Sequence, residues 1–156
     1  MEENSSVKIP MNTSVRMDMD ADGKAVDETR YKALIGSLLY LTTSRPDIPF
    51  AVVVCARFQS APKESHMTAA KIILRYLKDT MNQDIEFKKE NNCKLVGYTY
   101  NDWVGSVDDR KSTSFYIFCL RTNIISWSSK KQKSIALSSA RVEYIAGTDA
   151  ACEVIW

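Results

Sequence analysis

The chain has 156 residues, 45% of them hydrophobic and 26% charged, a balance that suits a folded globular protein rather than a disordered one. No apolar run approaches the roughly 20 residues that a membrane-spanning helix needs. Lys and Arg outnumber Asp and Glu by only 21 to 19, too small a surplus to argue for nucleic acid on charge alone.

The first residues, MEENSS, lack both the basic and the apolar region of a secretory signal, so cytosol or nucleus is the expected location. The four cysteines, Cys55, Cys93, Cys119 and Cys152, are widely scattered, without the close pair that zinc sites use. Without a secretory signal, disulfides are not expected either. All four are read as buried or half-buried thiols.

Residues 1–26 read as a polar, solvated linker. Asp18, Asp20, Asp22 and Gly23 stand in the order of a calcium loop, but Thr29 occupies the place of its closing bidentate glutamate. From Asp27 the pattern turns helical. Tyr31, Leu34, Ile35, Leu38 and Leu39 follow helical spacing, with Asp27 placed as the cap. Ser44-Arg45-Pro46-Asp47 ends that helix. Phe50, Val53, Val54 and Phe58 predict a second helix, stopped near Ala61-Pro62. Met67, Ala70, Ile73, Leu74 and Leu77 predict a third, with His66 exposed in its first turn. The range 27–82 is thus expected to be a small helical connection segment.

After Thr80 the texture becomes β. Ile85 and Phe87 alternate with charge, and residues 95–100, 114–120 and 124–128 read as strands, with 134–137 as a candidate fourth. Arg121-Thr122-Asn123 reads as a hairpin turn. Val142, Ile145, Ala146, Asp149, Cys152 and Trp156 share one face of a closing helix. Three or four antiparallel strands followed by a helix make an α+β arrangement, here a sheet domain over 83–156.

Taken singly, few residues demand an enzyme. Glu143 suits the start of a helix, where it meets the helix dipole. Asp102, Asp108 and Asp109 lie between strands and suit turns. Lys130, Lys131 and Lys133, just after Trp127, would meet a phosphate backbone or form a solvated turn. No Ser-His-Asp set, phosphate loop or dinucleotide fingerprint is present.

The run YKALIGSLLYLTTSRPDI at 31–48 is very similar to a signature of copia-type retrotransposon polyproteins. Further matches follow in the family's order: Ala70-Lys71 through Arg75-Tyr76-Leu77-Lys78, then Asp109-Arg110-Lys111-Ser112-Thr113-Ser114, then ISWSSKKQ at 125–132. Ala136-Leu137-Ser138-Ser139 and Glu143-Tyr144-Ile145-Ala146 complete the series. The resemblance runs from about Pro10 to Trp156. In this family the first signature follows the reverse transcriptase palm and leads into a ribonuclease H domain.

The resemblance implies a small helical unit followed by a truncated ribonuclease H-like sheet and its first helix. It also implies a family activity, cleavage of the RNA strand of an RNA–DNA hybrid. Four carboxylates hold two magnesium ions in that chemistry, because hard cations prefer oxygen ligands and paired ions stabilise attacking and leaving oxygens. Here Tyr100 stands at the first ligand's place, and a neutral phenol is a poor magnesium ligand. Asp102 matches the motif's second aspartate, about 6–7 Å further along the strand. Glu143 matches a retained ligand, while Arg141 replaces the other glutamate of its motif. The chain ends at Trp156, before the segment expected to supply two further aspartates. Phe115 and Arg121 stand at glycine positions of the family, as does Asp79.

These departures predict a degenerate, non-catalytic copy that binds no cofactor and has at most weak affinity for nucleic acid. The alternatives are a hybrid-specific nuclease completed by another chain, or a domesticated interaction module. The first strand is expected to be an open sheet edge, and so a place for self-association.

Overall fold

Asp27 accepts a hydrogen bond from the Arg30 N–H at 3.1 Å and so caps α1, Glu28–Leu41, as its sequence position suggests. The computed structural model describes residues 7–12, 17–89, 94–102 and 105–155. It forms two compact units that divide between Gln83 and Asp84. In the first, α2 (Pro49–Ala56) opens on a proline, whose missing N–H costs nothing at a helix start. α3 runs Glu64–Asp79. Tyr31, Ile35 and Leu38 of α1 meet Ala51, Val52 and Cys55 of α2 and Ala70, Ile73 and Tyr76 of α3 in one core. Each large apolar side chain fully buried there contributes roughly 1.5–3 kcal/mol. Leu39 and Leu74, spaced like the core residues, remain exposed. The Tyr31 hydroxyl donates to the Cys55 carbonyl at 3.0 Å, and burial pushes the Cys55 thiol up to about 12.

His66 corrects the expectation of an exposed first-turn histidine. It is buried, stacked on Phe58 with ring centroids 4.0 Å apart. Its Nδ1 accepts the Lys63 N–H at 3.0 Å, and its Nε2 meets the Asp18 carbonyl at 2.8 Å. An imidazole serves here because it satisfies a donor and an acceptor on opposite sides while burying a flat ring.

The same contacts correct the solvated-linker reading of 17–26. Val26 N–H donates to the Pro62 carbonyl and Glu64 N–H to the Lys24 carbonyl, around an isolated Ala25–Lys63 bridge. Ser65 Oγ donates to Asp20 Oδ2 at 2.6 Å, and Val7, Met11 and Met17 pack against the helical core. Asp18 and Asp20 are thus spent on docking this segment.

The second unit is a three-stranded antiparallel sheet in the order β1-β2-β3, with β1 Leu95–Asp102, β2 Thr113–Leu120 and β3 Asn123–Lys131. The chain is therefore α+β, with three strands rather than four among the described residues. Arg121 and Thr122 join β2 to β3, and Arg121 lies at φ 59°, the left-handed region that favours glycine. α4, Ser139–Ile155, buries Val142, Ala146 and Ala150. Ile145 is only partly buried on this helix, Asp149 and Cys152 are exposed, and Trp156 lies outside the described residues.

Two stretches of expected β texture do not form strands. Residues 83–89 are irregular, and the backbone of Lys88 bonds to a side chain, that of Asn123. Its Oδ1 accepts the Lys88 N–H and its Nδ2 donates to the Lys88 carbonyl, both at 2.8 Å. Residues 134–137 turn the chain from β3 towards α4, leaving Ile135 and Leu137 exposed. The thiols divide as well: Cys55 is buried, Cys119 half-buried and Cys152 exposed, while Cys93 lies outside the described residues.

Candidate functional site

Side chains alternate along a strand, so Tyr98, Tyr100 and Asp102 of β1 share one face of the sheet. In register, Tyr100 stands opposite Phe115, and Asp102 opposite Thr113. α4 lies on the other face. Phe118 there sits against Gly97, and the Tyr116 hydroxyl reaches Ser128 and Glu153. Tyr98 and Tyr100 are 60% and 51% exposed. Asp102 turns its carboxylate back onto the following loop, where any side chain at Gly105 would collide with it. The flanking Trp103 and Val104 lie outside the described residues.

Glu143 sits in the first turns of α4, exposed beside the buried Val142. Tyr100 and Glu143 thus belong to opposite sides of the sheet. Among the described residues no three His, Cys, Asp or Glu side chains come together in a group able to hold a metal ion. A two-magnesium centre needs several carboxylates around one point, and Tyr100, Asp102 and Glu143 do not supply that set.

Lys131, at the end of β3, is bound to Asp109 Oδ2 at 2.5 Å. Burial would raise the Asp109 carboxyl pKa. Hydrogen bonds from Lys131, Ser106 and the Lys111 N–H, with the Lys131 charge, outweigh it and hold the group at about 2. Lys130 and Lys133 are exposed. The three lysines are therefore not equivalent: two face solvent, and the middle one closes the 105–112 loop onto the sheet.

Sequence reasoning missed Gln132. Its amide is buried, and Nε2 donates to Ser114 Oγ at 2.8 Å and to the Val142 carbonyl at 3.2 Å. Its own N–H donates to the Ser112 carbonyl at 2.9 Å. Gln132 thereby ties the turn of α4 next to Glu143 to the start of β2. The available signal was its place at the end of the 125–132 run, where a polar residue closes a strand.

The Retrovirus-related Pol polyprotein from transposon RE1 of Arabidopsis thaliana is 42% identical to the chain over 150 residues, 96% of the chain and 10% of that protein. The Retrovirus-related Pol polyprotein from transposon TNT 1-94 of Nicotiana tabacum is 43% identical over 127 residues, 81% of the chain and 10% of that protein. The chain belongs to the copia-type retrotransposon Pol polyprotein family. It spans about 10% of the length of the transposon polyproteins it matches. The Secreted RxLR effector protein 161 of Plasmopara viticola is 43% identical over 127 residues, 81% of the chain and 89% of that protein. No family model matches this copia-type segment, and no solved structure matches it at a significant level. No helix among its described residues is long and apolar enough to cross a membrane.

Proposed function

We propose that the unit Asp84–Trp156 is a ribonuclease H-like core that has lost hybrid cleavage, a degenerate segment of a copia-type polyprotein. The observation that carries this reading is Tyr100. It stands where the family motif has its first metal-ligand aspartate, on the sheet face opposite the helix that bears Glu143. A phenol stays neutral near pH 7 and is a weak ligand for a hard cation. Arg141, two residues before Glu143, adds a positive charge where the motif has a glutamate.

If magnesium were bound in an intact copy, it would activate water and stabilise the leaving oxygen. Here the Asp102 carboxylate lies close against Gly105, and Glu143 stands without a carboxylate cluster among the described residues. What remains for this surface is sequence-independent contact with an RNA–DNA hybrid or other phosphate backbone, through Lys130 and Lys133, with Lys131 shared with Asp109.

The test is incubation of purified protein with an RNA–DNA hybrid in magnesium or manganese. No cleavage is expected. Tyr100→Asp alone should not restore it, since the new carboxylate would stand on the face opposite Glu143. Cutting by the unmodified protein that disappears in Glu143→Gln would overturn the reading.

A second reading, an interaction module, has one observation in its favour. The chain spans 89% of a relative named as a secreted effector, so a protein of nearly this extent exists by itself. Recovery of one defined protein partner, lost on surface substitution and not on removal of nucleic acid, would favour this reading over the first.

A further inference from the structure

β1 is the edge of the sheet, and among the described residues no strand pairs with its outer side. One hydrogen bond shows which backbone groups face out. The Arg121 N–H donates to the Lys94 carbonyl at 2.7 Å, so residue 94 turns its polar groups towards β2. Hydrogen-bonded residues alternate along an antiparallel ladder. Val96, Tyr98, Tyr100 and Asp102 therefore bond inward, and Leu95, Gly97, Thr99 and Asn101 present N–H and C=O outward. From Leu95 to Asn101 the edge has no proline, no charge and no break in register, the usual protections of an exposed edge.

We propose that two copies of this chain pair through β1, antiparallel about a two-fold axis at Tyr98, into one six-stranded sheet. Three independent features select this register. Leu95 then faces Asn101 of the second copy, and Gly97 faces Thr99. Every outward N–H and C=O of these four residues finds a partner. Val96 faces Tyr100, and Tyr98 meets its own copy, as the close non-hydrogen-bonded pairs in which aromatic and β-branched side chains interact best. At both ends, Lys94 comes opposite Asp102, so that unlike charges occupy facing register positions. A shift of two residues either way leaves one outward residue of each copy unmatched and separates Lys94 from Asp102.

The helix layer accommodates the second copy. α4 lies over β1 and β2 but not β3. Its Asp149 and Glu153 side is the one near Tyr116 of β2. Helical spacing then turns Ala140, Gly147 and Ala151 past the β1 edge, towards the axis. A Cβ placed at Gly147 would meet nothing within 4 Å. Three small side chains on that flank, bordered by Glu143 and Tyr144, leave space between the two α4 helices. The pairing is independent of whether the unit descends from a nuclease, since it needs only the edge and its register.

Sedimentation of the full chain across a dilution series should show a monomer–dimer equilibrium. Thr99→Pro removes an outward N–H while sparing the inward ladder, and should weaken the dimer about tenfold or more with an unchanged circular dichroism spectrum. Lys94→Glu, which sets like charges opposite each other, should weaken it too. Cysteine crosslinking tests the register without relying on proline. With Cys93, Cys119 and Cys152 changed to Ser, oxidised Tyr98→Cys should form a covalent dimer and Tyr100→Cys should not. A monomer at every concentration, a dimer indifferent to Thr99→Pro and Lys94→Glu, or crosslinking at 100 in place of 98 would each overturn the proposal.

Discussion

Arg45 holds Asp47 through two parallel hydrogen bonds, Nε to Oδ1 at 3.0 Å and Nη2 to Oδ2 at 2.6 Å. The pair joins the turn between α1 and α2 to the end of α3. Arg45 also donates to Thr80 Oγ1 at 2.7 Å, the Tyr76 hydroxyl donates to Asp47 Oδ2 at 2.7 Å, and the guanidinium lies 5.8 Å from the centre of the Tyr76 ring. The Ser-Arg-Pro-Asp stretch at 44–47 is thus a structural clasp.

Arg45→Lys keeps the charge but loses the fork and the stacking, and should cost about 1–2 kcal/mol. Burial alone would raise the Asp47 pKa, but hydrogen bonds from Arg45 and Tyr76 outweigh it and lower the value. The carboxylate therefore contributes stability above the ordinary carboxyl pKa of about 4, and loses it as pH falls through the lower folded value. An unchanged denaturation midpoint in Arg45→Lys would show that packing alone holds the turn.

His66→Ala should destabilise the helical unit by about 2–4 kcal/mol, since it removes two part-buried hydrogen bonds and a buried, stacked ring. Residues 17–26 should loosen with it. Amide exchange at Val26 and Glu64, whose N–H groups bond across this junction, reports the loosening directly. Unaltered protection there would mean that Lys63 and the apolar contacts suffice.

Arg121→Gly should stabilise the sheet unit by about 1 kcal/mol, because φ at this turn is positive and only glycine adopts it without a Cβ penalty. For a unit of this size that is a rise in Tm of roughly 4–8 °C. A lower Tm would mean that the arginine side chain makes a contact worth more than the strain.

The Asp109–Lys131 pair should show its weakness and its pH sign together. Both side chains are more than a third exposed, so the pair contributes less than about 1 kcal/mol. With the folded pKa at about 2, that contribution is present above the ordinary carboxyl range and is lost between about pH 4 and 2. Carboxyl titration followed by NMR checks both, and Lys131→Ala should move the Asp109 midpoint upward.

Nucleic-acid affinity, if the lysines carry it, should divide unequally among them. Lys130→Ala and Lys133→Ala should each lower the salt slope of hybrid binding by about 0.7–0.9. Lys131→Ala should lower it less, since Asp109 already neutralises that charge. Equal affinity and equal slope in the parent and the triple alanine variant would show that the cluster is only a solvated turn.

Local rules sufficed where neighbours in sequence make the structure. The helices at Glu28–Leu41 and Glu64–Asp79 follow from apolar spacing, the Asp27 cap and the break at 44–47, all decided within a turn or two of chain. Pro49–Ala56 instead ends before Phe58 and buries Ala51, Val52 and Cys55, where the spacing pointed to Phe50 and Val53. The three strands and the 121–122 turn follow from β-branched and aromatic runs around a hairpin. The family was legible too, because whole motifs survive as strings.

Tertiary structure decided what distant partners decide. His66 is buried because Asp18, 48 residues away, comes to meet it. Ile85 and Phe87 lie in irregular chain next to Lys88, whose backbone bonds the side chain of Asn123, 35 residues away. Lys131 is half-neutralised because the 105–112 loop folds Asp109 onto it, and no spacing rule announces such a return. Above all, the sequence presents residues 95–100 as a strand, expected at an open edge, without saying which backbone groups stay open. That alternation depends on the register with β2, and only the packed sheet determines it.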